Sequence, residues 1–321
     1  MESTSSATVA VAPKKKNTWK KIKQYKWLYI FLIPGMFYLL IFKYIPIVWN
    51  VIAFQDYDIH MSEGFMAIFN SQWIGFENFR YIFMESNDFW PVFWNTLKYG
   101  VYKLVWSFPA PILLALVLNE IRCMWYKKVC QTIVYLPHFI SFVVMAGIVQ
   151  FMLSDQGAFN SIIRFFGGET VLFLTEPKYF WTILVATTVF KGVGYGTVVY
   201  MAALSGVNDE LYESAAIDGA TRIQMARYIT LPSIVPTIIT VFIINVGNVI
   251  KGGLDEVLMF QNPAIPPEAS EIIQTYTFKT GLRQGKYSYA TAIGLFESVI
   301  AISLMFATNY IARKNDQKGL W

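Results

Sequence analysis

Six long apolar segments, separated by polar stretches, dominate the hydrophobic pattern of this 321-residue chain. A helix needs about 20 mostly apolar residues to cross the hydrocarbon core of a bilayer, which is about 30 Å thick. The six segments meet that length and predict membrane-spanning helices over residues 27–55, 90–118, 129–153, 180–205, 228–250 and 288–312. The pattern therefore predicts one all-α membrane domain over 27–312, with a basic N-terminal tail, 1–26, and a C-terminal tail, 313–321.

Composition supports this prediction and excludes several other classes. Hydrophobic residues make up 55% of the chain and charged residues only 15%, whereas a soluble domain has about 25% charged residues. A disordered, nucleic-acid-binding or disulfide-stapled protein is therefore not the leading interpretation. The two cysteines, Cys123 and Cys130, lie on a short loop without neighbouring histidines, so they cannot complete a four-ligand zinc site.

Basic residues in the loops predict which side of the membrane each end occupies. Segments rich in Lys and Arg are retained on the cytoplasmic side. If the N-terminal tail is inside, the inside segments hold 15 of the 26 Lys and Arg residues, and the three outer loops hold 7. No small-residue cleavage pattern follows the first apolar segment, so we expect that span to stay uncleaved. Both termini are predicted to be cytoplasmic, in a multi-pass protein of a bacterial cell membrane.

The segment 207–232, between the fourth and fifth spans, has the pattern of a short helix followed by a turn. Asp209 can cap this helix, and Gly219 supplies a permissive backbone where the chain must turn. A second helical stretch, 221–227, leads to Leu231 and Pro232 at the membrane edge. The helix has a surface of small residues, which lets another protein approach closely.

The run Glu213-Ser-Ala-Ala-Ile-Asp-Gly-Ala220, with Leu231-Pro232 after it, resembles the EAA loop of binding-protein-dependent ABC importer permeases. Ser214 replaces the usual second alanine but is still small. Six spans with cytoplasmic ends are similar to the sugar-type permeases of the maltose-transporter class. The stretches 54–58 and 73–79 resemble the subgroup that imports complex oligosaccharides and polysaccharide fragments.

The resemblance implies a type I ABC importer permease fold in which this loop is the coupling helix, seated in a cleft of a cytoplasmic ATPase. By position it implies these coupling residues: Glu213, Ser214, Ala215, Ala216, Asp218, Gly219, Leu231 and Pro232. A solvated loop with a capped helix is the competing interpretation. The implied partners are a second, related permease subunit, an ATPase dimer and an extracytoplasmic solute-binding protein.

The sequence contains no phosphate-binding string of the form Gly-x4-Gly-Lys-Ser/Thr. We therefore expect a separate ATPase to bind ATP and Mg²⁺, and we predict neither a cofactor, a metal nor a catalytic residue in this chain. An integral membrane enzyme is the rival class, but such an enzyme needs converging acids, bases or metal ligands, and His60 and His138 are far apart.

Ionisable residues inside a span usually face a cavity or a partner, because each costs about 2.5 to 3.5 kcal/mol on insertion scales. Lys191 and Glu297 lie near the middle of the fourth and sixth spans and are predicted either to pair or to contact substrate. Lys98 and Lys103 are expected to extend toward the headgroups instead.

Asn245 and Asn248 are three residues apart on the fifth span and hence on one helical face. Amides suit sugar hydroxyls because they both donate and accept hydrogen bonds, but interhelical bonding explains them equally well. Tyr195 is a further candidate, for stacking on a sugar ring or for packing.

Taken together, the sequence predicts a permease subunit that imports an oligosaccharide by alternating access. Basic residues outnumber acidic ones four to one within the spans, which hints at an acidic, uronate-containing sugar such as a pectic fragment. Import of another solute, such as an amino acid, by the same architecture is the alternative.

Overall fold

A computed structural model describes residues 23–57, 66–314 and 319. Within that part of the chain, six helices are long and apolar enough to cross a membrane. We number them span 1 to span 6, and they cover Lys26–Phe54, Phe89–Asn119, Phe142–Phe165, Pro177–Leu204, Arg222–Gly247 and Tyr287–Lys314. The predicted all-α membrane fold is confirmed. Most of both predicted tails, together with His60, lies outside the described residues.

Among the described residues, those up to Val51 form one compact unit, and those from Ile52 onward form a second. In the first unit, the helix Lys26–Leu39 passes through a π-helical turn, Leu40–Tyr44, into the helix Ile45–Trp49. Pro46 lacks the N–H that would continue the regular bonding pattern, which explains the widened turn before it. A 3₁₀ turn over Asn50–Phe54 completes span 1.

The second unit is built around spans 2 and 4. Span 2 consists of the helices Phe89–Ser107 and Pro109–Asn119, and span 4 is one unbroken helix, Pro177–Leu204. Glycines in both spans let neighbouring segments of the chain approach closely. A Cβ at Gly100 would overlap the backbone of Val249, and one at Gly194 would overlap the backbone of Val134.

The third predicted span, 129–153, is wrong in its bounds because it joins two separate helices. The chain forms Met124–Phe139 and then Phe142–Leu153, followed by Ala158–Phe165. Ile140 and Ser141 between the first two helices have extended backbones, and the Ser141 hydroxyl accepts a hydrogen bond from the Val144 amide at 3.3 Å. A serine cap thus starts a new helix inside an uninterrupted apolar run, which hydropathy does not detect.

The segments between the spans are mostly helical. After span 1, β1 (Gln55–Asp56) pairs antiparallel with β2 (Gln72–Trp73). Short helices around this hairpin cover Ala67–Asn70, Glu77–Arg80 and the π-helical turn Tyr81–Glu85. Between spans 5 and 6 lie Leu254–Phe260, Pro267–Ser270, Ile273–Phe278 and the π-helical turn Lys279–Arg283.

Three buried clusters hold the second unit together. One joins Tyr99 of span 2 and Leu184 of span 4 to Val257 of the helix Leu254–Phe260. A second is centred on Phe89, Ile250 and Ile293. The third packs Ile112, Tyr200 and Ile234 of spans 2, 4 and 5. Lipid tails are as apolar as these side chains, so close van der Waals packing, and not removal of apolar surface from water, is what these contacts contribute to the association of the spans.

Candidate functional site

The segment between spans 4 and 5 contains a helix, Asp209–Ile217, which we call the loop helix. Its cap is Asn208, whose side-chain oxygen accepts a hydrogen bond from the Glu210 amide at 3.1 Å. The predicted cap, Asp209, is instead the first helical residue. Because Asn208 occupies the cap, Asp209 and Glu210 lie in the first turn of the helix. Their negative carboxylates interact favourably there with the positive end of the helix dipole.

Gly219 ends the loop helix as predicted. Its φ of +76° lies in the left-handed region, which glycine adopts without steric cost, and a Cβ built there would meet no atom within 4 Å. Thr221 then caps the next turn in a reciprocal capping box with Gln224. Helix Arg222–Met225 and the π-helical turn Ala226–Thr230 continue directly into Leu231–Gly247, so the predicted second helix is the start of span 5.

Two polar contacts connect this segment to the spans. The Tyr212 hydroxyl of the loop helix lies 3.0 Å from the hydroxyl of the buried Thr230. Arg222 at the start of span 5 forms an ion pair of 3.8 Å with Glu120, the residue that follows span 2. The loop helix is therefore tied to span 5, and the start of span 5 is tied to span 2.

The predicted coupling residues are mostly accessible on this surface. Ala215 and Leu231 are half-buried, whereas the others are exposed: Glu213, Ser214, Ala216, Asp218, Gly219 and Pro232. Sequence reasoning missed Ile217 and Ile223, which are 87% and 81% exposed beside them. Two isoleucines held in solvent next to small and acidic side chains form a surface that a partner protein can cover.

A second group of polar residues lines two adjoining cavities between spans 2, 4 and 5. The first cavity, of about 270 Å³, lies between span 2 and the end of span 5. The second, of about 310 Å³, lies between spans 2, 4 and 5 on the side nearer the loop helix. Both are lined by Lys103, Ser107, Phe108 and Asn245. The two cavities therefore follow one another along the spans and share a wall.

The sequence predicted that Lys103 extends toward the headgroups, and this prediction is wrong. Its ammonium lies 2.9 and 2.8 Å from the two carboxylate oxygens of Glu256, and the Tyr99 hydroxyl donates to the same carboxylate. Glu256 belongs to the helix Leu254–Phe260, far from Lys103 in sequence. Only the folded chain brings this acidic residue against span 2 and satisfies the lysine there.

Three of the five predicted path residues line the cavities. Asn245 lines both, Asn248 lines the first and Tyr195 lines the second. The ring of Tyr195 also stacks on the ring of His138, with centroids 4.0 Å apart and planes 5° from parallel. One face of Tyr195 is thus occupied by packing.

Lys191 and Glu297 do not pair with each other. The Lys191 ammonium donates to the backbone oxygen of His138 at 2.6 Å, and the Glu297 carboxylate accepts from the Gln274 amide at 2.6 Å. Neither residue is among those lining the two cavities. Because both residues lie within spans, each was expected to have a partner. The partners are His138 and Gln274, which belong to other segments, and the sequence did not reveal that these segments pack there.

The cavities also contain polar residues outside the five predicted path residues. The hydroxyl oxygens of Ser107 and Tyr200 are buried against the cavities and have no hydrogen-bond partner among the described residues. Lys251 adds a positive charge to the first cavity. Hydroxyls, amides and an ammonium beside aromatic rings can bind a polyhydroxylated ligand and an anionic group on it. Within the described ranges, no group of three His, Cys, Asp or Glu residues could hold a metal.

Comparison with known proteins gives a consistent result. Residues 107–317 match the family model described as binding-protein-dependent transport system inner membrane component. Protein LplB of Bacillus subtilis (strain 168) is 40% identical, over 98% of this chain and 97% of the relative. The polygalacturonan/rhamnogalacturonan transport system permease protein YteP of the same organism is 37% identical, over 98% and 96%.

Two solved structures are similar over almost their whole length. One is a crystal structure of a bacterial ABC transporter involved in the import of the acidic polysaccharide alginate, with a TM-score of 0.83 and 38% identity over 93% of this chain and 99% of that chain. The other is a bacterial alginate ABC transporter in complex with an alginate pentasaccharide-bound periplasmic protein, with a TM-score of 0.85 and 38% identity over 95% and 100%.

Proposed function

Because the chain belongs to the family of binding-protein-dependent transport system inner membrane components, we propose that it is one of two permease subunits of an ATP-driven importer for acidic oligosaccharides. Its fold is that of a type I ABC importer permease with multiple membrane spans. The second permease, two copies of an ATPase and an extracytoplasmic solute-binding protein complete the proposed complex. ATP and Mg²⁺ are bound by the ATPase.

The pair of cavities that share Lys103, Ser107, Phe108 and Asn245 is the observation that carries the proposal. Small-ligand pockets usually have about 300 to 1,000 Å³, so each cavity holds a part of an oligosaccharide rather than a whole chain. Two such cavities in series, lined by amides and hydroxyls, suit a sugar chain that moves through them stepwise. The shared wall is the place where the passage opens or closes.

The loop helix receives the motion of the ATPase in this proposal. Exposed small residues, the Glu213 carboxylate and the isoleucines Ile217 and Ile223 provide the surface on which the ATPase docks. This requires the loop helix and both termini to be cytoplasmic, as the distribution of Lys and Arg predicts. Pressure on the loop helix moves span 5 through Tyr212 and Thr230, and span 2 through Arg222 and Glu120.

Alternating access follows from the elements that these contacts move. Spans 2 and 5 form opposite walls of the first cavity and contribute to the second. When the loop helix displaces them, the cavities change shape and the path opens toward one side of the membrane at a time. The side chains bind and guide the sugar, and no covalent bond is formed or broken in this subunit.

The substrate class follows from the relatives and from the charges of the path. The relatives include a permease named for polygalacturonan and rhamnogalacturonan and a structure from an alginate importer. Polygalacturonan and alginate both consist of sugars that carry carboxylates. Lys251, which is not paired with a carboxylate as Lys103 is, lines the first cavity, and this cavity therefore favours a negatively charged chain.

Transport by the reconstituted complex tests the proposal. Both permeases, the ATPase and the solute-binding protein are placed in liposomes, and ATP-dependent uptake of a labelled galacturonate trisaccharide is measured. We expect uptake that requires ATP and the binding protein. Uptake of amino acids, or of neutral oligosaccharides only, would overturn the assigned substrate class.

Thiol labelling tests the orientation separately. In a variant whose two native cysteines are replaced by serine, Ile217→Cys is expected to crosslink to the ATPase. Met84→Cys, 79% exposed at the other end of the bundle, is expected to react with an impermeant reagent added outside intact cells. The reverse labelling pattern would show that the loop helix cannot reach a cytoplasmic ATPase.

A further inference from the structure

The two lysines of the first cavity are in different electrostatic situations. Lys103 is neutralised by both carboxylate oxygens of Glu256, at 2.9 and 2.8 Å. Lys251 also lines the cavity, is exposed, and has no carboxylate within 4.0 Å among the residues that the structure describes. The uncompensated positive charge of this cavity therefore belongs to Lys251 and not to Lys103.

Glu297 of span 6 is an acidic residue that acts on Lys251 without forming an ion pair with it. Glu297 attracts the lysine electrostatically, but its carboxylate is engaged by the Gln274 amide at 2.6 Å and forms no ion pair with Lys251. Gln274 also donates to the backbone oxygen of Ile250 at 2.7 Å. These bonds hold Glu297 and the chain just before Lys251 in place, so the ammonium is retained near the cavity without being neutralised by direct contact.

The backbone that follows Lys251 makes a turn that depends on glycine. Gly252 and Gly253 follow with φ of +90° and +98°, and a Cβ at Gly253 would meet the Tyr99 ring at 2.8 Å. The chain can therefore leave span 5 and pass close to span 2 only with glycine at Gly253. This turn places Lys251 on the same cavity wall as Asn248 and Asn245.

We propose that Lys251, with the amides of Asn248 and Asn245, forms a carboxylate-binding subsite for one uronate unit of the transported sugar. The ammonium binds the carboxylate, and the amides bind neighbouring hydroxyls. Glu256 prevents Lys103 from competing for the same carboxylate. The inference rests on the proposed function, because it assigns a residue to the recognition of that substrate class.

Transport by charge-altered complexes tests the subsite. The whole complex, with its binding protein, is assembled with wild-type, Lys251→Gln, Lys251→Arg or Lys98→Gln permease. Lys98 is the matched control because, like Lys251, it is an exposed lysine. It lies on span 2 and lines neither cavity. Uptake of a galacturonate trisaccharide and ATP hydrolysis stimulated by the binding protein are measured at saturating binding protein and normalised to assembled complex.

We expect Lys251→Gln to lower uptake about tenfold, the loss expected for one charge-assisted contact, while stimulated ATP hydrolysis changes less than about twofold. Lys251→Arg, which keeps the charge, is expected to retain at least about half of the uptake, and Lys98→Gln to match the wild type. Parallel loss of uptake and ATP hydrolysis would indicate a structural role and overturn the subsite.

Other outcomes are equally decisive. Wild-type uptake by Lys251→Gln, equal losses in the glutamine and arginine variants, or the same loss in Lys98→Gln would each contradict the subsite. The arginine variant keeps the test decisive even if the glutamine variant assembles poorly, because an assembled arginine complex must transport. A wild-type complex that imports no galacturonate trisaccharide at all would refute the proposed function itself, and is thereby distinguished from a failure of the subsite alone.

Discussion

The hydroxyl of Tyr212 lies 3.0 Å from the hydroxyl of Thr230, and this contact joins the loop helix to the start of span 5 across 18 residues of sequence. Thr230 is 2% exposed, so the Tyr212 hydroxyl reaches from an exposed helix into the packed end of the span. In the proposed mechanism, this contact transmits displacement of the loop helix to the span.

Removal of the Tyr212 hydroxyl is expected to weaken the link between ATP hydrolysis and transport. A single hydrogen bond contributes about 1 kcal/mol, so Tyr212→Phe should leave the fold intact while sugar imported per ATP hydrolysed falls. Tyr228→Phe is the control, because this tyrosine is on the same segment and 69% exposed. Equal transport ratios in the two variants would show that the hydroxyl contact does not transmit the motion.

Substitution of Gly219 is expected to impair uptake because the backbone conformation disfavours a side chain, and not because a side chain would lack space. Its φ of +76° disfavours any side chain by about 1 to 2 kcal/mol, whereas its Cβ position is open. Gly219→Val should therefore shift the end of the loop helix and lower ATP-driven uptake without loss of the assembled membrane part.

Gly206 provides the control for this substitution. A Cβ at Gly206 would meet the Ala203 oxygen at 3.5 Å, an ordinary contact distance. Gly206→Ala should retain wild-type uptake when measured in the same liposomes. Normal transport by Gly219→Val would mean that the geometry of this turn is not needed for coupling.

The contact of Lys103 with Glu256 is expected to stabilise the attachment of the helix Leu254–Phe260 to span 2. Lys103→Met leaves the Glu256 carboxylate without its cation, which should cost about 2 kcal/mol, since the pair is partly screened by solvent. The measurement is thermal unfolding of the purified protein in detergent. The double variant Lys103→Met with Glu256→Leu should recover part of the loss, and a double variant that is no more stable than the single one would contradict this account.

Close packing at Gly194 predicts a clear difference between two neighbouring glycines of span 4. A Cβ at Gly194 would overlap the Val134 backbone, while one at Gly192 would meet nothing within 4 Å. Gly194→Ala should therefore destabilise the protein by about 1 to 3 kcal/mol, as overpacking does, and Gly192→Ala should not. Thermal unfolding of both variants checks this prediction, and equal midpoints would show that the helix Met124–Phe139 does not pack closely on span 4.

Part of the path could be found from spacing alone. Asn245 and Asn248 share a helical face because they are three residues apart, and both indeed line the first cavity. The proposed role of Lys251 was not visible in the sequence, since this residue follows the apolar segment and resembled an ordinary loop residue. The proposal depends on the absence of an ion-pairing carboxylate among the residues that the structure describes, which is a property of the packed chain.

The sequence by itself determined the elements whose signals are local: the number of spans and the turn at Gly219. Apolar length and left-handed backbone preference act within a few residues, so they can be read along the chain. Only the tertiary structure decided which lysine of the first cavity is paired with a carboxylate and which is not. Electrostatic pairing depends on distance in space, and Glu256 reaches Lys103 across 153 residues of sequence.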